Sequence, residues 1–218
     1  MRASEDSYRH KGLRRKLVET VRSKGITDER VLAAIENIPR HFFLDSAFDE
    51  VAYEDKAFPI AEKQTISQPY TVAYQTQLLE VKQHEKVLEI GTGSVYQAAV
   101  LAELGAKVFT IERQRKLFDS NKNFQWIKKY HSIKFFYGDG YEGLPTYAPF
   151  DKIIITAAAP SVPLKLIQQL KTGGIMVIPL GSGDVQVMKR LIKQGDGSVK
   201  EEVYDNFSFV PMLEGKKD

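Results

Sequence analysis

The sequence contains no cysteine, and this absence excludes disulfide bonds and thiolate-ligated metal sites. The four histidines are scattered without the spacing typical of metal ligands, so no metal is expected. No apolar run approaches the ~20 residues needed to span a bilayer. Residues 1–16 also carry no apolar segment typical of an export signal. These absences predict a cytoplasmic protein that does not bind a membrane.

The charge of the chain is close to balanced. Its 31 basic and 28 acidic side chains give a net charge of +3, which is too small to indicate a nucleic-acid partner. The chain has 218 residues, of which 43% are hydrophobic. This length and composition are sufficient for one large α/β domain with a full core and an appendage.

An apolar strand, a glycine-rich turn, a helix and a second apolar strand follow one another in the middle of the chain. These segments are predicted at residues 87–90, 91–94, 96–104 and 108–111, in that order. In an open parallel sheet a ligand binds at the carboxyl ends of the strands. We therefore expect the turn and Glu112, which follows the second strand, to meet at one site.

The composition of the turn distinguishes two classes of ligand. The dinucleotide fingerprint needs a third glycine beside a pyrophosphate, and Tyr96 stands at that position. The pattern instead suits S-adenosylmethionine, with Glu89 facing its ammonium group and Gly91 and Gly93 leaving room for its methionine part. Glu112 lies 19 residues past Gly93, near the spacing expected for an acid that binds ribose hydroxyls. A plain turn with a solvated acid is the alternative.

Further strands complete a sheet after this unit. They are predicted at residues 133–137, 150–155, 175–180, 185–193 and 201–210, the last two as a hairpin. A helix is expected at residues 117–130. The third strand ends at a Gly-Asp-Gly turn, where Asp139 could accept a hydrogen bond from an adenine amino group and Gly140 could leave room for the base. A plain turn has the same composition.

The N-terminal part of the chain is predicted to be helical. Its helices are expected at residues 10–24 and 27–37, with Thr27 as the cap of the second. The basic side chains of the first helix are expected to face solvent; the alternative is that they bind nucleic acid. The aromatic pair Phe42 and Phe43 is expected to pack this part onto the main domain. We therefore divide the chain into an appendage, residues 1–63, and a main domain, residues 64–218.

A polar segment, QTISQPY at residues 64–70, precedes a helix predicted at residues 71–79. A serine at a helix entrance is most often an N-cap, so Ser67 alone indicates a cap. Together with LEIGTGSVYQAAV at residues 88–100 and FDKIIITAAAP at residues 150–160, this segment resembles the protein-L-isoaspartate (D-aspartate) O-methyltransferase family. The resemblance extends from about residue 10 to residue 213.

The resemblance implies a Rossmann-like class I S-adenosylmethionine-dependent methyltransferase fold, with a seven-stranded, mostly parallel sheet flanked by helices. It also implies methyl transfer from S-adenosylmethionine to the free α-carboxylate of L-isoaspartyl residues in damaged proteins, with S-adenosylhomocysteine as product. The methyl ester then closes to a succinimide, which returns partly to aspartate. The expected partners are isoaspartyl proteins and peptides, and the chain is expected to be a monomer.

The resemblance also implies roles for individual residues. Ser67 is the implied catalytic residue, and since a carboxylate with a pKa near 4 is already ionised at pH 7, no general base is required. The implied cofactor contacts are Thr65, Ile66, Glu89, Gly91, Gly93, Ser94, Glu112, Arg113, Asp139 and Gly140. The implied substrate contacts are Ile66, Ser67, Gln68 and Leu213.

Two stretches depart from the family pattern. Val95 stands where the family usually has glycine, and a β-branched residue takes a positive φ only with strain. Either the backbone there is already helical, or affinity for the cofactor is reduced. Residues 61–63 also replace glycines that usually precede QTISQP. Two other hypotheses remain: a methyltransferase acting on RNA or a small molecule, and a cofactor-binding homologue with weakened activity.

Overall fold

A seven-stranded sheet forms the centre of the computed structural model, which describes residues 5–218. The strands of the chain are β1 (Phe58–Pro59), β2 (Thr65–Ile66), β3 (Lys86–Ile90), β4 (Lys107–Glu112), β5 (Ile133–Tyr137), β6 (Phe150–Ile155), β7 (Leu170–Leu180), β8 (Gln186–Lys193) and β9 (Val199–Phe207). The order across the large sheet is β5-β4-β3-β6-β7-β8-β9, while β1 and β2 form a small antiparallel pair.

Strands β3 to β7 run parallel, and β8 and β9 are antiparallel. This topology confirms the predicted mostly parallel seven-stranded sheet. The last three strands, β7, β8 and β9, lie side by side in chain order. The predicted hairpin joins β8 to β9, where the Gln194 amide donates to the Ser198 carbonyl at 2.8 Å.

The helices cover both faces of the sheet. They are α1 (Tyr8–Ser23), α2 (Glu29–Asn37), α3 (Pro69–Leu79), α4 (Tyr96–Glu103), α5 (Arg115–Lys122) and α6 (Leu164–Gln169). Helices α1 to α4 contribute to one core together with Val87 of β3. Leu88 and Ile90 belong to a second core on the other face, with Leu166 of α6. The alternation along β3 places Glu89 on the same face as Val87.

Two predicted helices have different limits in the structure. The helix expected at residues 117–130 is divided, since α5 ends at Lys122 and a 3₁₀ helix occupies Gln125–Lys129. Phe124 between them is extended and packs edge-on against Phe43, at 5.4 Å between ring centroids. Thr27 is not the cap of α2; Asp28 accepts from the Arg30 amide instead. The Thr27 amide donates to Gln77 of α3.

The N-terminal helices pack onto the main domain through buried aromatic side chains, as expected of Phe42 and Phe43. The basic face of α1 is largely paired. Arg14 is buried and donates to both carboxylate oxygens of Asp6, at 2.8 and 3.0 Å. Arg22 pairs with Glu29 of α2. The expected lack of a nucleic-acid partner stays a prediction. None of the helices in residues 5–218 has the length and apolar character needed to cross a bilayer.

Candidate active site

A cleft of about 840 Å³, open solvent included, lies at the carboxyl ends of β3, β4 and β6. Most of the predicted site residues line it. These are Thr65, Ile66, Ser67, Gly91, Gly93, Ser94, Glu112, Arg113, Gly140 and Leu213. Three predicted residues, Glu89, Gln68 and Asp139, are not part of its wall. The expected meeting of the glycine-rich turn with Glu112 is therefore present.

The turn after β3 requires glycine for steric reasons. Gly91 and Gly93 have φ values of 95° and 50°, in the left-handed region. A Cβ atom at Gly91 would lie 2.8 Å from the hydroxyl oxygen of Thr156. That hydroxyl donates to the carbonyls of Ile90 and Gly91, at 3.0 and 2.7 Å. Thr156 therefore holds the turn against the end of β6, a role that the sequence analysis did not assign to it.

Val95 adopts the left-handed conformation, with φ 67° and ψ 8°. The expectation that its backbone might already be helical is therefore wrong. The residue is fully buried and precedes α4, and its amide donates to the Thr92 carbonyl at 2.8 Å. A left-handed β-branched residue costs of order 1–3 kcal/mol and persists only where its surroundings determine the backbone. Glu62 and Lys63, in the 61–63 stretch that also departs from the family pattern, have φ values of 57° and 58°.

Glu112 is 4% exposed, so the alternative of a solvated acid is wrong for it. One carboxylate oxygen accepts from the Gly93 amide at 2.9 Å and the other from the Gln114 amide at 2.8 Å. Burial raises the pKa of Glu112 above its ordinary value, while these amide bonds lower it. Each oxygen keeps a further lone pair, so the side chain can still accept two hydrogen bonds from a vicinal diol in the cleft.

Glu89 lies inside the protein rather than on the wall of the cleft. It is fully buried, and within the described chain neither carboxyl oxygen has a hydrogen-bond partner. Burial raises its pKa to about 8, so the side chain carries a proton at neutral pH. Its neighbour across the sheet is Thr110, whose hydroxyl lies 2.6 Å from that of Thr92 in the turn. The structure thus separates Glu89 from the cleft by the turn.

The C-terminal strap, residues 210–217, runs along the cleft opposite the turn. Arg113 donates to the Gly215 and Glu214 carbonyls, at 2.9 and 3.1 Å. Asp139 accepts from the Gly215 amide at 2.7 Å, so its carboxylate is engaged with the strap. Leu213 is 52% exposed and faces the cleft from this strap.

Gly140, beside Asp139, has a packing reason of its own. A Cβ atom there would lie 2.4 Å from the Cγ2 atom of Ile90. A distance this short is not tolerated without movement of the strand, so the end of β3 requires glycine at this position. The space that Gly140 leaves is therefore taken up by Ile90 as well as by the cleft.

A second cleft adjoins the first and shares Thr65, Ser67, Thr156 and Val210 with it. Ser67 therefore lies at the junction of the two clefts. The alternative of an N-cap is wrong for Ser67, since α3 begins at Pro69 with Gln68 in the cap position. Its hydroxyl has no hydrogen-bond partner among residues 5–218 and is free to contact a ligand.

Gln68 lines only the second cleft, where a peptide would have access to Ser67. Its side-chain amide donates to Asp55 at 3.0 Å. The two clefts separate the predicted contacts only in part. The glycine-rich turn and Glu112 border the first cleft and Gln68 borders the second, but Ile66 and Leu213, which are expected to contact the substrate, line the first.

The histidines are less scattered than the sequence suggested. His10 and His41 stack with their ring centroids 3.8 Å apart, and Asp6 lies close enough for the three to offer ligand atoms to one ion. Arg14 already donates to both oxygens of Asp6, and a cation would have to displace that guanidinium. Burial lowers the pKa of His41. The expected lack of a metal stays a prediction.

Comparison with known proteins now adds to this geometry. The model of the protein-L-isoaspartate(D-aspartate) O-methyltransferase family matches residues 12–217. A protein-L-isoaspartate O-methyltransferase from Christiangramia forsetii is 58% identical over 97% of this chain and 99% of its own length. The enzyme of the same name from Dictyoglomus thermophilum is 46% identical over 94% of this chain and 92% of its own.

Solved structures agree with the fold. A protein-L-isoaspartate O-methyltransferase structure superposes with a TM-score of 0.82 at 28% identity, covering 91% of this chain and 65% of that one. A structure from Plasmodium falciparum in complex with S-adenosyl-L-homocysteine gives a TM-score of 0.79 at 22% identity, covering 92% of this chain and 98% of that one. These likenesses confirm the predicted methyltransferase fold.

Proposed function

The chain belongs to the protein-L-isoaspartate(D-aspartate) O-methyltransferase family, and we propose that its reaction takes place around Ser67, where the two clefts meet. It is an S-adenosylmethionine-dependent protein-L-isoaspartate O-methyltransferase, a protein repair enzyme. It methylates the free α-carboxylate of L-isoaspartyl residues in damaged proteins. The ester then closes to a succinimide, which returns partly to aspartate.

The first cleft fits S-adenosylmethionine. Gly91 and Gly93 leave backbone exposed where side chains would block a ligand, and Glu112 can accept hydrogen bonds from ribose hydroxyls. Asp139 and Gly140 border the position proposed for the adenine. The remaining proposed contacts to the cofactor are Thr65, Ile66, Ser94 and Arg113. When bound, the cofactor supplies an activated methyl group on a positively charged sulfur.

The burial of Glu89 limits how it can serve this cofactor. The side chain of Glu89 does not reach the wall of the cleft. Its carboxyl can therefore act on the ammonium group of the cofactor only indirectly, through the turn or through a bridging water molecule. Burial raises the pKa of Glu89 to about 8, so without a nearby cation the carboxyl is neutral and offers the ammonium group an uncharged acceptor. We therefore propose that Glu89 supports the turn rather than gripping the ligand.

Orientation of the substrate is the main task of the protein. The substrate carboxylate is ionised at pH 7, so no residue has to remove a proton from it. We propose that the free hydroxyl of Ser67 donates a hydrogen bond to one carboxylate oxygen. The other oxygen then lies about 3 Å from the methyl carbon, in line with the sulfur. Ile66, Gln68 and Leu213 are the proposed contacts to the peptide.

The single observation that supports this role is the place of Ser67, which borders both clefts and whose hydroxyl bonds to none of residues 5–218. A donor at that junction can touch a peptide in one cleft and the methyl donor in the other. We also propose that the chain works as a monomer in the cytoplasm.

The test compares an isoaspartyl peptide with its normal aspartyl twin, using labelled S-adenosylmethionine. We expect base-labile methylation of the isoaspartyl peptide alone. Ser67→Ala is expected to lower the rate by roughly 10- to 1000-fold, the range for lost positioning and lost charge stabilisation. Ser23→Ala removes an exposed hydroxyl at the end of α1 and serves as the control. Equal labelling of both peptides, or an unchanged rate in Ser67→Ala, contradicts the proposal.

A further inference from the structure

Arg40 is completely buried without an acidic partner in the described chain. Within residues 5–218 its guanidinium donates to three backbone carbonyls: to Ala52 from Nε at 3.1 Å, and to Lys56 and Ser67 from Nη2 at 3.3 and 3.0 Å. Its Nη1 atom has no hydrogen-bond partner among residues 5–218. Burial lowers the pKa of Arg40 to about 10, so the side chain stays charged at neutral pH.

A charge in this position is costly for folding. The effective penalty for burying an ion is several kcal/mol, and well-packed apolar side chains often replace buried ion pairs without loss of stability. The ring of Tyr96 lies 5.0 Å from the guanidinium carbon and offsets part of the cost through its π face. The hydrogen bonds of the guanidinium join Arg40 to two other stretches of backbone, the loop that contains Ala52 and Lys56 and the segment at Ser67. The second of these carries the hydroxyl at the junction of the clefts.

Asp55 holds the same turn from the other side. One carboxylate oxygen accepts from the Tyr70 amide at 2.8 Å, in the first turn of α3. The other accepts from the side chain of Gln68 at 3.0 Å and from Lys24 at 2.5 Å. The turn at residues 67–70 is therefore fixed at its first residue by Arg40 and at its next residues by Asp55. Both of these charged residues lie in the N-terminal part of the chain.

We propose that Arg40 is a positioning residue for methyl transfer, which fixes the carbonyl of Ser67 and thereby directs its hydroxyl into the junction of the two clefts. This inference rests on the proposed role of Ser67. Arginine suits the task because its planar fork reaches three carbonyls at fixed angles, whereas lysine offers a single point charge. The bonds run over 12, 16 and 27 residues of sequence, and the longest connects the 3₁₀ helix after α2 (Arg40–Phe43) to the residue that carries the proposed hydroxyl.

The experiment measures the single-turnover rate with an isoaspartyl peptide and the Kd for S-adenosylhomocysteine. Arg40→Met is expected to lower the rate roughly 10- to 100-fold while the Kd changes less than about twofold. Arg40→Lys is expected to recover part of the rate, because it keeps the charge but not the fork. Arg30→Met is the matched control, since Arg30 also donates to a backbone carbonyl, that of Val81, away from the turn.

A double-mutant cycle with Ser67→Ala separates positioning from a general structural effect. If Arg40 acts through Ser67, Arg40→Met lowers the rate in the wild type and changes it less than about twofold in the Ser67→Ala background. Equal losses in both backgrounds, or a large loss of cofactor affinity, overturn the inference. An unchanged rate in Ser67→Ala alone instead removes the proposed role of Ser67, and the inference falls with it. If Arg40→Met does not fold, Arg40→Lys takes its place in the same cycle.

Discussion

Replacing Glu89 by glutamine tests the electrostatics beneath the glycine-rich turn. The carboxyl is fully buried and has no hydrogen-bond partner within residues 5–218, and its pKa is raised from 4.5 to about 8. At pH values between 4.5 and about 8, Glu89 in the folded chain therefore keeps a proton that the unfolded chain has released. Because the folded state binds more protons there, the free energy of unfolding falls as the pH rises through this window and levels off above it.

The size of the effect follows from the distance between the two pKa values. Each pH unit is worth about 1.4 kcal/mol, so burial of Glu89 costs folding roughly 3 kcal/mol at pH 7. Glu89→Gln has no proton to lose, so its unpaired amide adds only an offset that does not change with pH. The difference in free energy of unfolding, variant minus wild type, is expected to rise by roughly 2 kcal/mol between pH 5 and pH 7.

Urea denaturation at pH 5, 6, 7 and 8 without ligand measures this difference. Other titrating groups, among them Glu112 and His41, are present in both proteins, so their contributions largely cancel in the comparison. Glu50→Gln is the control, because its side chain is 80% exposed and its removal leaves the core unchanged. A difference that stays constant from pH 5 to pH 8, or that falls, refutes the raised pKa of Glu89.

Two further predictions concern the wall of the cleft. Glu112→Gln is expected to weaken S-adenosylhomocysteine binding roughly 10- to 100-fold in calorimetry. The variant loses the charged acceptors, and its amide nitrogen faces the backbone amide of Gly93 or of Gln114. A Kd within twofold of wild type contradicts this prediction. In thermal denaturation Val95→Gly should be less destabilising than Val95→Ala, which is the reverse of the usual order. Both variants lose about 2 kcal/mol from the buried valine side chain, but only glycine relieves the strain of the left-handed backbone.

The sequence predicted the sheet well because its signals are local. Apolar runs of β-branched residues mark β3, β4 and β6, and glycines with positive φ mark the turn that follows β3. The predicted ends of helices were less accurate where tertiary contacts determine where a helix stops. Phe124 leaves the helical path to pack against Phe43, which lies about 80 residues earlier in the chain, and no local pattern indicates such a contact.

The site was predicted only in part, because several of its bonds join distant stretches of chain. The cleft brings together the turn, Glu112 and Ser67, as the family motifs implied. The role of Thr156 could have been suspected from its place at the end of a buried strand. The contacts of Arg40 and Asp55 with the turn at residues 67–70 had no such signal. In the sequence a buried arginine cannot be distinguished from an exposed one, because most arginines lie on the surface. Arg40 has backbone carbonyls as partners, and these leave no pattern of side chains in the sequence.

Three residues near the cleft adopt the left-handed conformation that glycine takes most readily. Val95, Glu62 and Lys63 all have positive φ. Val95 is held by full burial, while Glu62 is held by ion pairs with Lys116 at 3.2 Å and Lys217 at 4.0 Å. Such conformations persist only where the surroundings fix the backbone. The shape of this cleft is therefore set by the packing and charges around its turns, and its loops have less freedom than glycines would give them.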